Sequence, residues 1–243
     1  LKKSMQPVNL FCLPFAGGNK YCYRSYETAA PDFLRIKVLE YPGRGLRMNE
    51  PLNTDVNQLT NDLYEQISGQ LDKEPYAIYG HSMGGLMACL LSRKIIANNH
   101  VPPLHVFITG TSGPSAESRG ENKRHLLEKK EFIEELKRLN GSPDEVLQNE
   151  ELLDFFEPII RADFKATETY TYEASEMLNI PFTVITGTEE GMTLEDIQLW
   201  QKETAIPVDF KRLPGKHFFI YQYTHQVIKI ISKKVFNHLT YQL

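Results

Sequence analysis

Cysteine is scarce. Cys12, Cys22 and Cys89 are three among 243 residues, far apart and without CxxC spacing. An odd, dispersed set argues against a disulfide framework and reads as a reduced, cytoplasmic chain. The seven histidines fall in no HExxH or similar pattern, so no metal centre is expected. No apolar run reaches the roughly 18 residues of a membrane span. Leu1–Pro7 hold no signal-peptide apolar stretch, and a chain opening on Leu reads as trimmed at its start. Acidic residues are missing after Asp209. That tail carries Lys211, Arg212, Lys216, Lys229, Lys233 and Lys234, so the net charge of −4 divides into +6 here and −10 on the rest. An acidic majority argues against sequence-independent nucleic-acid binding. The simplest reading of the tail is solvated lysines on a last helix; attraction of an acidic partner is the other.

What is present is globular in kind. Hydrophobic residues make up 41% and charged residues 24%, which excludes a disordered chain. A chain this long buries a core without a disulfide or metal staple. Short apolar runs predict strands at Val8–Leu13, Arg35–Glu40, Tyr76–Gly80, Leu104–Gly110, Pro181–Thr186 and Val208–Leu213. Helical spacing predicts helices over Thr54–Leu71 (capped by Thr54), Met83–Ala97, Thr193–Thr204 and Phe218–Phe236. Strand–helix alternation implies an α/β fold with a mostly parallel central sheet flanked by helices. Residues 111–177 break the rhythm. They show only helical pattern and read as a helical lid inserted into one domain spanning 1–243, with mobile ends at Gly110–Gly120 and Gly141–Pro143.

The sharpest motif is Gly80-His81-Ser82-Met83-Gly84-Gly85, a G-x-S-x-G between a strand and a helix. A nucleophile there stands on a tight turn above the sheet. The glycines let strand and helix approach, and the helix N-terminus favours negative charge. The competing reading is a helix-capping serine. A nucleophilic serine needs a base and a group to orient it. His217 follows the last strand, as a base should; His225 and His238 lie inside the final helix and read as surface or packing residues. The acid should follow the strand ending at Thr186, where Glu189 and Glu190 are available and Glu190 is favoured. Oxyanion donors are expected from the N–H groups of Met83 and Ala16, the latter in Pro14-Phe15-Ala16-Gly17-Gly18; a plain glycine turn is the alternative. Phe15, Gly17, His81 and Phe218 flank these groups as expected substrate or lid contacts. The His81 side chain is expected to point away from Ser82. Arg44, Arg47 and Arg161 are either contacts for a partner or, as favoured, salt bridges pinning loops, for example Arg161 to Asp163 or a nearby Glu.

Together these segments resemble the type II, or editing, thioesterases of nonribosomal peptide and polyketide synthesis, within the α/β-hydrolase superfamily. The resemblance runs from Leu10 to about Phe236. It rests on Leu13–Gly18, Tyr41-Pro42-Gly43-Arg44-Gly45 with Arg47, Glu50 and Pro51, the Gly80–Gly85 elbow, Leu139–Pro143, Arg161-Ala162-Asp163-Phe164 through Glu168 and Tyr170, and Pro214–Phe218. The resemblance implies hydrolysis of acyl or aminoacyl thioesters from phosphopantetheine arms of acyl- or peptidyl-carrier domains. In that reading Ser82 is the nucleophile, His217 the base, Met83 and Ala16 the oxyanion donors, and the helical block a mobile lid. The family usually has Asp where this chain has Glu190. No metal or redox cofactor is implied, and a monomer is expected. A carboxylesterase or lipase of free esters, and a non-catalytic binding protein of hydrolase shape, are the rival readings.

Overall fold

A computed structural model describes residues 6–121, 123–139 and 149–240. Six strands form one sheet: β1 (Val8–Leu13), β2 (Leu34–Val38), β3 (Tyr76–His81), β4 (Val106–Thr109), β5 (Phe182–Gly187) and β6 (Asp209–Leu213). Their order is β2-β1-β3-β4-β5-β6, and every pairing is parallel. Parallel neighbours need crossovers, so the sheet is covered on both faces by helices. These are α1 (Arg24–Ala29), α2 (Val56–Ile67), α3 (Met83–Ala97), α4 (Lys129–Leu139), α5 (Glu150–Glu168), α6 (Leu194–Gln198), α7 (Phe219–Gln222) and α8 (Thr224–Thr240). Alternation along a strand feeds two cores. Phe11 and Leu13 of β1 join Leu59 and Leu63 of α2 and Leu86 and Leu91 of α3. Val8, Leu10 and Cys12 join Tyr23, Tyr26 of α1, and Val227 and Ile231 of α8. All three thiols are free, and no helix among the described residues is long and apolar enough to cross a membrane.

The six expected strands are all found, β1 with the expected bounds and the other five with shifted ends. Three helices differ from expectation. Asp55, not Thr54, caps α2, its carboxylate accepting from Gln58 N–H at 2.9 Å; both residue types suit the position. The helix expected over Thr193–Thr204 stays α-helical only to Gln198 and then tightens into a 3-10 turn over Leu199–Lys202. The last helix is broken at Tyr223. There the Thr224 hydroxyl donates to the Ile220 and Tyr221 carbonyls at 3.0 Å each, and such back-bonding competes with the helical ladder.

Residues 111–177 run between β4 and β5. Helices α4 and α5 pack together through Phe132, Leu136, Leu153, Ile160 and Phe164, with Ala16 of the core against them. The expected hinge at Gly141–Pro143 lies outside the described residues. The arginines are held by salt bridges. Arg47 binds Asp62 and Glu50. Arg161 pairs with Glu157 one turn before it at 2.7 Å, while Asp163 lies on another side of α5 and pairs with Arg44 instead. In the basic tail, Lys211 and Lys234 both bind Asp209, at 3.0 and 2.8 Å.

One buried histidine makes stability pH-dependent. His105 is enclosed between Thr183 and His238. Burial, and after it the charge of His238, pushes its pKa down to about 3. Unfolding returns it to about 6.5. The unfolded chain therefore takes up a proton first as pH falls. The His105 contribution is whole above about pH 6.5 and is lost at about 1.4 kcal/mol per pH unit below it. Thermal melts from pH 7 to 5 should show a falling midpoint, with a shallower slope in His105→Asn. Equal slopes in both proteins would refute the assignment.

Candidate active site

In a sheet of this order the chain passes to β2 on one side of β1 and to β3 on the other. The crevice at the carboxyl ends of β1 and β3 is where such sheets bind ligands. Leu13 and Gly80 are register partners there, and the loops leaving them are Pro14–Gly18 and the Ser82 turn.

Ser82 sits between β3 and α3 with φ 55° and ψ −116°. A non-glycine residue in such a region costs on the order of 1–3 kcal/mol. The turn is possible because two glycines are bare. A Cβ on Gly80 would strike the Gly84 carbonyl, and one on Gly84 would strike the Leu13 carbonyl. The Ser82 backbone is pinned, its N–H donating to Thr109 O at 2.8 Å. Its hydroxyl makes no capping bond to α3, so the helix-cap reading of this serine is wrong. The side chain is half-buried.

His217 follows β6, and its Nδ1–H donates to Glu190 Oε1 at 2.7 Å. The other oxygen, Oε2, accepts the Gly187 N–H at 2.5 Å. Glu190 is thereby fixed at both oxygens, with its side chain 2% exposed. Glu189 is exposed, and only its backbone N–H is engaged, with Gly215 O at 3.0 Å. Gly191, with φ 76°, turns the chain directly after the carboxylate.

His81 corrects the expectation of a substrate-lining residue. It is the last residue of β3 and fully buried. Its Nδ1 shares a hydrogen bond with Thr109 Oγ1 at 3.0 Å. Its ring lies 4.8 Å from that of His217 and is boxed by Phe15, Phe218 and Phe219. Burial, and next His217, push its pKa far below the usual range, so the ring is neutral. Phe15 is likewise buried, its ring 4.9 Å from Phe218. His81 packs directly against the His217 ring, and Phe15 packs against His81 and Phe218. Phe218 is half-buried.

The Pro14–Gly18 loop is tied along its length. Tyr41 Oη donates to Pro14 O at 3.1 Å, Gly18 N–H to Phe15 O at 2.8 Å, and Gly17 N–H to Asp163 Oδ2 at 2.7 Å. Among the described residues, the N–H groups of Ala16 and Met83 have no acceptor. Ala16 lies in the loop after β1, and Met83 opens α3. A cavity of about 410 Å³ lies elsewhere, lined by Cys89, Arg93, Tyr170, Tyr172 and Glu203, and includes neither Ser82 nor His217. No cluster among the described residues has the makings of a metal site.

A family model described as a thioesterase domain matches residues 8–235. The chain belongs to the thioesterase family. It is therefore a thioester hydrolase. This thioesterase is 32% identical to the gramicidin S biosynthesis protein GrsT of Aneurinibacillus migulanus, over 96% of its own length and 90% of the relative's. Its fold superposes on ClbQ of the colibactin nonribosomal peptide/polyketide synthase pathway with TM-score 0.90, at 30% identity, covering 96% of this chain and 98% of that one. The type II thioesterase BorB of the borrelidin biosynthetic cluster gives 0.85 at 29% identity, covering 96% and 93%. These matches carry the α/β-hydrolase fold expected of the chain.

The thioesterase holds two groups that no sequence pattern singled out in their present roles. Asp163 and Arg44 meet across 119 positions. Thr109, on β4, orders both His81 and Tyr79. Neither contact has a local signal, since each depends on how distant elements pack.

Proposed function

We propose that the protein hydrolyses acyl or aminoacyl thioesters carried on the phosphopantetheine arm of carrier domains, clearing misprimed nonribosomal peptide or polyketide synthases. Ser82 is the nucleophile, His217 its base, Glu190 the acid that orients the base, and Met83 and Ala16 the oxyanion donors. The observation that carries this reading is the Glu190–His217 pair at 2.7 Å, with the His217 ring 4.8 Å from that of His81, whose sequence neighbour Ser82 is held at φ 55° at the N-terminus of α3. The likeness to GrsT, ClbQ and BorB supports the carrier-bound substrate.

The chemistry follows from the geometry. His217 Nε2 takes the Ser82 proton as Oγ adds to the thioester carbonyl, and the N–H groups of Met83 and Ala16 receive the oxyanion. Glu190 keeps the proton on Nδ1, which leaves Nε2 free to accept, and it stabilises the imidazolium that forms. Collapse expels the thiolate, a good leaving group, which takes the proton from His217 and departs as the thiol. Water then adds to the acyl carbonyl as the neutral His217 takes its proton, and the second collapse returns that proton to Ser82 Oγ, releasing the acid. None of these steps calls for a metal or redox cofactor. Residues 111–177 act as the lid over the acyl group, through the face of α5 that meets Ala16.

The test compares two substrates. Intact-mass spectrometry of acyl-loaded carrier domains, before and after incubation, should show deacylation at a kcat/KM above that for a free nitrophenyl ester of the same acyl group. A higher kcat/KM on the free ester would replace the carrier reading with that of a simple esterase.

A further inference from the structure

The carboxylate of Asp163 is fully buried on α5. Its Oδ2 accepts Gly17 N–H at 2.7 Å and also an Arg44 Nη1–H, and its Oδ1 accepts Arg44 Nη2–H at 2.7 Å. The Arg44 side chain is 3% exposed and lies over the Tyr41 ring at 5.2 Å. The same Tyr41 holds Pro14 O, and Arg44 Nη1 also reaches Gly18 O at 3.5 Å. Gly17 has φ 77°, and a side chain there would meet Ile160 of α5 at 2.7 Å. The loop is thus clamped between Tyr41 and Arg44 on one side and α5 on the other. The Gly17 amide is consumed by Asp163, and the preceding amide, Ala16, is left for substrate.

A buried ion pair is a poor source of stability. Well-packed apolar residues of the same volume often do as well or better. What this pair provides is direction. A two-pronged guanidinium–carboxylate contact fixes orientation as well as distance, and an oxyanion donor works only when pre-set at about 2.7–3.1 Å from the developing charge.

We propose that Asp163 is a positioning residue for thioester hydrolysis. By holding Gly17 N–H and Arg44 together, it sets the Ala16 amide in the oxyanion hole and makes α5 a working part of the catalytic centre. This rests on the assignment of Ala16 as an oxyanion donor. Unseating α5 would dismantle the hole while leaving Ser82, His217 and Glu190 in place.

The test uses the full chain, a small soluble thioester and a matched trifluoromethyl ketone. Ser82 Oγ adds to the ketone carbon, its proton passes to His217, and the carbonyl electrons move to oxygen, giving a stable oxyanion. Asp163→Asn should lower kcat roughly 10- to 100-fold with KM within about twofold, and should weaken the ketone by the same factor. The double variant Arg44→Met/Asp163→Leu separates folding from positioning. It should melt at or above the wild-type temperature and still be slow. Wild-type kcat in either folded variant would overturn the proposal. If the wild-type protein binds the ketone no better than the matching methyl ketone, the oxyanion assignment itself fails. If it does bind better and Asp163→Asn keeps the full preference, only the positioning role fails.

Discussion

Ser82→Ala folds as the parent does and loses thioester hydrolysis by roughly 10⁴- to 10⁶-fold. The loss is large because every later step depends on the acyl group being transferred to Oγ. The fold survives because the turn is built by its surroundings. Thr109 O holds the Ser82 N–H, and Gly85 N–H and Leu86 N–H donate back to Ser82 O. A fluorophosphonate probe that labels the parent should leave Ser82→Ala unlabelled at equal protein concentration. Labelling at the parental rate, or turnover within tenfold of the parent (about 1.4 kcal/mol), would show that the nucleophile is another residue. Ser82→Gly adds a check on strain. Glycine adopts positive φ without penalty, so Ser82→Gly should melt above Ser82→Ala while being equally inactive.

Glu190→Gln should cost roughly 10³- to 10⁴-fold in kcat, whereas Glu189→Gln should stay within about twofold of the parent. The reason lies in the two bonds of the carboxylate. Glu190 accepts from both Gly187 N–H and His217 Nδ1–H. A glutamine has one accepting oxygen. If it serves the Gly187 N–H, its NH₂ faces Nδ1 and forces the imidazole proton onto Nε2, the atom that must take the proton of Ser82. Glu189 has no such duty: it is exposed and bound only through its backbone. Steady-state rates on the same small thioester decide the matter. Equal losses in the two variants would remove Glu190 from its assigned place.

Much of this arrangement was legible in the sequence, for physical reasons that differ by element. The inner strands β1, β3, β4 and β5 are buried along their whole length, so they read as apolar runs bounded by glycine and proline, whereas the edge strands β2 and β6 carry exposed charged residues. The serine turn demands glycines at fixed offsets, which a linear pattern preserves. Other features depend on packing between distant segments. Phe15 from the loop after β1, and Phe218 and Phe219 at the start of α7, enclose His81, so a residue next to the serine in sequence packs against His217. The break at Tyr223 contains neither proline nor glycine, and the apolar spacing of the last helix runs straight through it. Arg44 and Asp163 are each plausible as surface charges until the fold closes α5 over the loop.

The strand order has a consequence for how the chain is assembled. With six parallel strands among the described residues, no ladder closes through a tight hairpin. Each pairing waits for a crossover, and contacts of long sequence separation are slow to form. β1 is made first yet lies inside the sheet, between β2 and β3. On a ribosome its second edge stays uncovered until Tyr76–His81 have emerged. The β4–β5 ladder must span all of residues 111–177, which makes it the costliest loop to close and the stage at which a nascent, half-built sheet most needs protection from its neighbours.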